Sequence, residues 1–143
     1  MKKQIQFKWN PSMKMTTHLG LEQFKQTARK LELTFELMNK AALTGKYVTF
    51  TFKNPLGGRY SDEAHRTDLI YSPVRDEHHH ELGTHYVWPV RKIPNSEFAQ
   101  WYANTDNASK AEDLTSYIFI EEGLLFEVLD AEDPEFEFFT KDE

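Results

Sequence analysis

Five of the six histidines fall between positions 65 and 85: His65, His78, His79, His80 and His85, with Asp76, Glu77 and Glu81 among them. A chain without cysteine must bind metal through imidazole and carboxylate. His78, His79, His80, His85 and Glu81 are therefore the candidate ligands for a divalent ion and, through it, for metal-assisted hydrolysis. The spacing works against that reading. His80 and His85 stand one residue beyond the i, i+4 separation that aligns two imidazoles on one helix face, and Gly83 between them disfavours a helix. A solvated loop between strands, titrating near neutrality, is the competing reading.

Cations near this cluster suggest a second chemistry. Lys53-Asn54-Pro55-Leu56-Gly57-Gly58-Arg59 follows a strand-like run and places glycines between cations. With Arg66 it makes Lys53, Arg59 and Arg66 candidates for contacts to phosphate or nucleic acid. Neither a P-loop nor a dinucleotide fingerprint fits the glycines, and a Pro/Gly turn is the alternative. His65-Arg66-Thr67 matches half of the two-histidine phosphoesterase pattern, but His18 and His85 are not followed by the hydroxyl residue a second half needs. No serine sits in a nucleophile-elbow context, so the residues lean away from an enzyme.

Charge is sorted along the chain. Residues 1–53 carry ten Lys/Arg against three Asp/Glu, whereas residues 112–143 carry twelve Asp/Glu against one Lys. Such a field selects partners rather than folds. The basic part interleaves cations with rings, the mix used by single-strand nucleic-acid binders, yet Phe7, Trp9, Phe50 and Phe52 occupy the apolar side of their alternations and belong to a core. The acidic part carries Phe136, Phe138 and Phe139, rings that a purely solubilising tail has no use for. Glu132, Asp133, Glu135, Phe136, Glu137, Phe138 and Phe139 are accordingly the candidate partner-binding residues, the alternative being that they dock as a last strand on their own domain.

The elements that must position these residues follow from periodicity. Gln4–Trp9 alternates as a half-buried strand, with Ile5, Phe7 and Trp9 on its apolar side. Apolar residues at Leu21, Phe24, Ala28, Leu31, Phe35, Met38 and Ala42 predict a long amphipathic helix over about 19–44, stopped by Gly45. That stripe reads as a core face lying across a sheet, with a coiled-coil seam as the alternative. Lys46–Lys53 alternates as a strand, and 54–68 reads as a long loop. Leu69–Ser72 and Tyr86–Val90 read as strands, Pro89 placing the latter at a sheet edge. Asn95 or Ser96 caps a short helix over about 96–103. Ser116–Glu121 and Leu124–Leu129 form a hairpin about Glu122-Gly123.

The expected fold is α+β: one domain over 1–129, a mainly antiparallel sheet of about five to six strands packed by the long helix and a short second one, and an acidic, Phe-containing tail or last strand over 130–143. A chain of 143 residues with twenty aromatic side chains has ample material for one core. Absence of cysteine, of an N-terminal apolar stretch and of any run of ~20 apolar residues points to a cytoplasmic, non-membrane protein.

The expected function is a non-enzymatic binding or inhibitor protein, with no cofactor, working as monomer or homodimer. Its acidic C-terminal surface would engage a basic surface on a protein that itself holds nucleic acid, by mimicry of that nucleic acid. Small acidic inhibitors of phages and mobile elements are similar in this general character. The alternatives are a single-stranded nucleic-acid-binding protein with an acidic regulatory tail and the His-dependent metal hydrolase.

Overall fold

Leu31, Leu33, Phe35 and Leu37 stand at every second position, and in the computed structural model, which describes residues 4–40, 42–83, 88–106 and 108–141, all four are buried on one face of a strand. The long helix expected over 19–44 does not exist. After a short first strand, β1 (Gln6–Lys8), this region forms the antiparallel strands β2 (His18–Gln26), β3 (Leu31–Asn39) and β4 (Ala42–Phe52).

The misleading period has a physical origin. Leu21 pairs with Phe35 and Gln23 with Thr34, so Glu22 is an extra residue in a β-bulge. Leu21 and Phe24 therefore share a face although three residues apart, the step a helix would make. A second irregularity between Glu36 and Met38 leaves both Leu37 and Met38 buried. Gly45 serves this bulge and not a helix end: its φ is +73°, its N–H donates to Glu36 Oε2 at 3.0 Å, and neighbouring Thr44 donates to the Leu37 carbonyl at 2.6 Å.

Beyond β4 come β5 (Gly57–Asp62), a 3₁₀ turn (Glu63–His65), the one-turn helix α1 (Thr67–Ile70), β6 (Val74–Arg75), β7 (Val90–Pro94), α2 (Glu97–Asp106), a second 3₁₀ turn (Ala111–Asp113), β8 (Thr115–Glu121), β9 (Leu124–Asp130) and β10 (Glu135–Thr140). The stretch read as a loop over 54–68 thus holds β5 and the start of α1, and the strand read at Leu69–Ser72 is the end of α1 and a turn. Tyr86 and Val87 lie outside the described residues. Val90 opens β7, which is internal rather than at an edge: it pairs with β8 on one side and β1 on the other. Pro89 precedes this ladder and only offers its carbonyl to Ile120 N–H at 2.8 Å.

The strands form two sheets. Sheet A has the order β5-β9-β8-β7-β1-β6, and sheet B the order β10-β4-β3-β2. Their inner faces pack together as a sandwich: Phe35, Phe50 and Phe52 of sheet B meet Tyr117 and Phe119 of sheet A, with Phe50 and Phe119 centroids 4.9 Å apart. Among the described residues the protein is mostly sheet, 50% strand and 15% helical, with one helix of seven residues or more. That overturns the α+β expectation of a single sheet covered by a long helix.

The outer face of sheet A carries α1 and α2. Ile93, Ile118 and Leu125 pack with Leu69 of α1, while Leu114 and Leu129 pack with Phe98 and Ala99 of α2. Ser96 caps α2, its Oγ accepting the Ala99 N–H at 3.0 Å. The Ser116–Leu129 hairpin turns at Glu122 and Gly123, with φ of +42° and +90°, the two positive values of a type I′ turn. Around β1 the expected burial is met in part: Trp9 packs on the core against Phe50 and Tyr117, but the polar side is buried as well. Gln4 and Gln6 are buried while Ile5 is 52% exposed.

Candidate functional site

Gln4 and Gln6 are buried because they hold α1 and α2 to the sheet. Gln4 Nε2 donates to Asp68 Oδ2 at 2.6 Å, and its Oε1 accepts the Glu97 N–H at 2.8 Å. Gln6 Nε2 donates to the Leu69 carbonyl at 2.9 Å and its Oε1 accepts from Arg91 Nη1 at 3.0 Å. Burial pushes the Arg91 guanidinium down to about 10, against the raising influence of Glu63.

Alongside these amides runs a network of buried charges. Arg66 grips Asp68 with two nitrogens, Nε at 3.1 Å and Nη2 at 3.0 Å, and reaches Glu127 Oε1 with Nη1 at 2.8 Å. Arg59 Nε donates to the same Glu127 oxygen at 2.8 Å, and Ser116 donates to Glu127 Oε2 at 2.6 Å. Two guanidiniums thus meet two carboxylates, and the hydrogen bonds that make such burial tolerable are present. The cost of burial acts against the Arg66 charge, but Asp68 and Glu127 outweigh it and hold its pKa above the ordinary value.

This network floors a groove of about 610 Å³ between β5 and α2, lined by Arg59, Tyr60, Ser61, His65, Arg66, Glu97, Phe98 and Trp101. Arg59 lies 4.5 Å from the Phe98 ring centroid, and Phe98 is stacked on Trp101 at 5.8 Å. Two of the three candidate anion contacts, Arg59 and Arg66, are therefore brought together. Arg66 is saturated by its carboxylates, whereas the terminal nitrogens of half-exposed Arg59 make no hydrogen bond among the described residues. Lys53 lies elsewhere, paired with Glu135 at 3.0 Å. A larger cleft, about 990 Å³, opens at one end of the sandwich among His18, Lys40, Asp62, Glu63, Tyr71, Arg91 and Glu122.

The histidine-rich segment is a tight loop after β6. Asp76 Oδ1 accepts the backbone N–H of His78 at 2.8 Å and of His80 at 2.9 Å, and the backbones of Arg75 and Glu81 pair in an isolated antiparallel β-bridge. The two backbone donors, that of His80 first, hold the Asp76 carboxyl below its ordinary value. His79, at φ +66°, lays its ring edge-on to Phe7 at 5.1 Å. Among the described residues no group of three His, Asp or Glu side chains is placed to hold a metal ion; His85 lies outside them.

The C-terminal candidates form β10, paired with β4 from Glu135↔Thr51 to Thr140↔Lys46. Phe136 and Phe138 stand opposite Phe50 and Val48 on the inner face of sheet B. Glu135, Glu137 and Phe139 lie on its outer face, where Phe139 stacks on Tyr47 at 5.5 Å. Asp133 is an anchor: it accepts from Tyr117 Oη at 2.5 Å and from Lys92 Nζ at 2.9 Å. Burial would raise its carboxyl, but these two partners hold it below the ordinary value. Glu132 and Glu137 make no ion pair among the described residues.

Periodicity places Trp101 on the same helix face as Phe98 and Tyr102, but its ring is 60% exposed. The Arg66–Glu127 contact spans 61 residues and leaves no local trace. No helix among the described residues is long and apolar enough to cross a membrane. Searches against protein families, curated proteins and solved structures find no match.

Proposed function

We propose that the protein acts by binding, engaging a basic segment of a partner protein along the acidic edge strand β10, with surfaces that otherwise hold nucleic acid among its targets. The observation that carries this reading is the position of β10. Among the described residues it ends sheet B, bonded to β4 on one side only, and it combines carboxylates with a partly exposed ring, Phe136. A free edge offers backbone hydrogen bonds to an incoming strand, and Glu132 and Glu137, unlike Glu135 with its Lys53 partner, are left to bias that strand toward positive charge. Asp133 and Phe138 support the strand from within.

The test is affinity capture of partners by wild type and by Glu132→Lys/Glu137→Lys. Loss of capture with an unchanged melting temperature is expected; undiminished capture refutes the assignment. Point substitutions are the usable probe, since truncation at Leu129 would strip β10 from Phe50 and Val48.

One observation favours a second reading, a single-stranded nucleic-acid contact: the unengaged terminal nitrogens of Arg59 lie in a groove with exposed Trp101 and Tyr60. Retention of labelled oligonucleotide at low salt, lost on Arg59→Ala, would support it. No retention at low salt would remove it.

A further inference from the structure

Sheet B ends in β10 on one side and β2 on the other. All three of its ladders are antiparallel, so these two end strands run in opposite directions. A second copy placed edge to edge in the same orientation would set its β2 antiparallel to the first copy's β10 and continue the sheet without a change of pairing type. Backbone groups for such a ladder are available. Residues 135–139 and 19–26 make no main-chain hydrogen bonds outside the ladders of sheet B among the described residues.

The side chains of the two edges match face by face. On the inner face, β10 presents Phe136 and Phe138, and β2 presents Leu19, Leu21 and Phe24. Phe136 is 41% exposed and Phe24 47% exposed, one at each open end of the same hydrophobic layer. On the outer face, β10 presents Glu135 and Glu137, and β2 presents Gln23 and Lys25. Glu22, the one acid on β2, is engaged by Lys141.

We infer that the partner of the β10 edge is the β2 edge of a second copy of this chain, joined head to tail. This deepens the proposed reading of β10 as a binding edge and rests on it. Pairing β10 with β10 in a register that sets Glu137 against Glu137 or Glu135, or β2 with β2 in one that brings the Lys25 side chains together, puts like charges across the ladder, which is destabilising. Opposite charge and exposed rings at the two different edges select the heterologous contact.

Sedimentation over a range of protein concentration tests this. Wild type should gain mass with concentration. Glu137→Lys and Lys25→Glu, both at exposed positions, should each weaken association about three- to tenfold, and an equimolar mixture of the two variants should recover it. A wild type that stays monomeric overturns the inference, and so does association indifferent to Lys25→Glu. Failure of the underlying reading is seen separately. A monomeric wild type whose capture of another partner is lost on Glu137→Lys keeps the β10 edge and removes only the self-partner. Indifference of both association and capture to Glu137→Lys removes both.

Discussion

Arg66 Nη1 and Glu127 Oε1 lie 2.8 Å apart beneath α1 and α2, joining a connecting segment to the middle of β9. Glu127 is fully buried and serves Arg59 and Ser116 as well, so its removal takes a carboxylate from two guanidiniums at once and leaves Arg66 to Asp68 alone. Glu127→Ala should cost about 3–5 kcal/mol. Urea denaturation gives the value; a loss under about 1 kcal/mol would mean that the network relaxes around the gap.

The Asp68 carboxyl should shape the acid limb of stability. Burial alone would raise its pKa, but hydrogen bonds from Arg66 and Gln4 and the adjacent guanidinium hold it below the ordinary value. A lowered folded-state pKa stabilises the fold fully above the unfolded carboxylate value, about 4, and that contribution is lost as pH falls through the lower folded value. Urea midpoints should therefore drop between about pH 5 and pH 2. Asp68→Asn should be less stable at neutral pH, with a shallower acid limb. An acid limb of undiminished slope in the variant would assign the effect to other carboxylates.

Tyr117 donates to Asp133 at 2.5 Å and so ties β8 to the segment that leads into β10. Tyr117→Phe should cost about 1.5–3 kcal/mol, the range for hydrogen bonds to charged groups. Amide exchange in β10 should quicken more than in β9. Equal changes in both strands would show that the bond does not fasten β10 in particular.

The β8–β9 turn holds a side chain in a backbone region that favours glycine and asparagine: Glu122 at φ +42°, ahead of Gly123 at +90°. Glu122→Asn should stabilise by several tenths of a kcal/mol, and Gly123→Ala should destabilise by about 1 kcal/mol or more. Thermal melts of the two variants check the opposite signs. Shifts of the same sign would contradict the turn geometry.

What could be read from sequence follows the reach of each signal. The hairpin about Glu122-Gly123 and the strand ending at Phe52 rest on short-range alternation and turn chemistry, and both are where the residues place them. The region 19–44 mimics a helix because the bulge at Glu22 inserts a three-residue step into a two-residue period, while Leu33 and Leu37, which carry the true alternation with Leu31 and Phe35, fall outside the seven-residue stripe. Gln4 and Gln6 misled because polarity suggests exposure unless the distant partners Asp68, Leu69 and Glu97 are known. For the candidate sites, composition marked the C-terminal carboxylates and rings. It does not reveal that Asp133 faces Tyr117, or that Phe24 and Lys25 stand on an edge strand and not on a helix.

Sheet B also has a handed geometry. Adjacent strands are rotated by roughly 20–25°, so its three steps turn the sheet through roughly 60–75° from end to end, and a junction to a next copy adds a fourth step that brings the rotation per copy to roughly 80–100°. Copies added edge to edge would each inherit that rotation and wind into a spiral of about four per turn instead of a flat ribbon. A coil of that pitch resists the lateral stacking through which flat sheets precipitate. The twist of one small sheet would thus set both the shape of an assembly and its solubility.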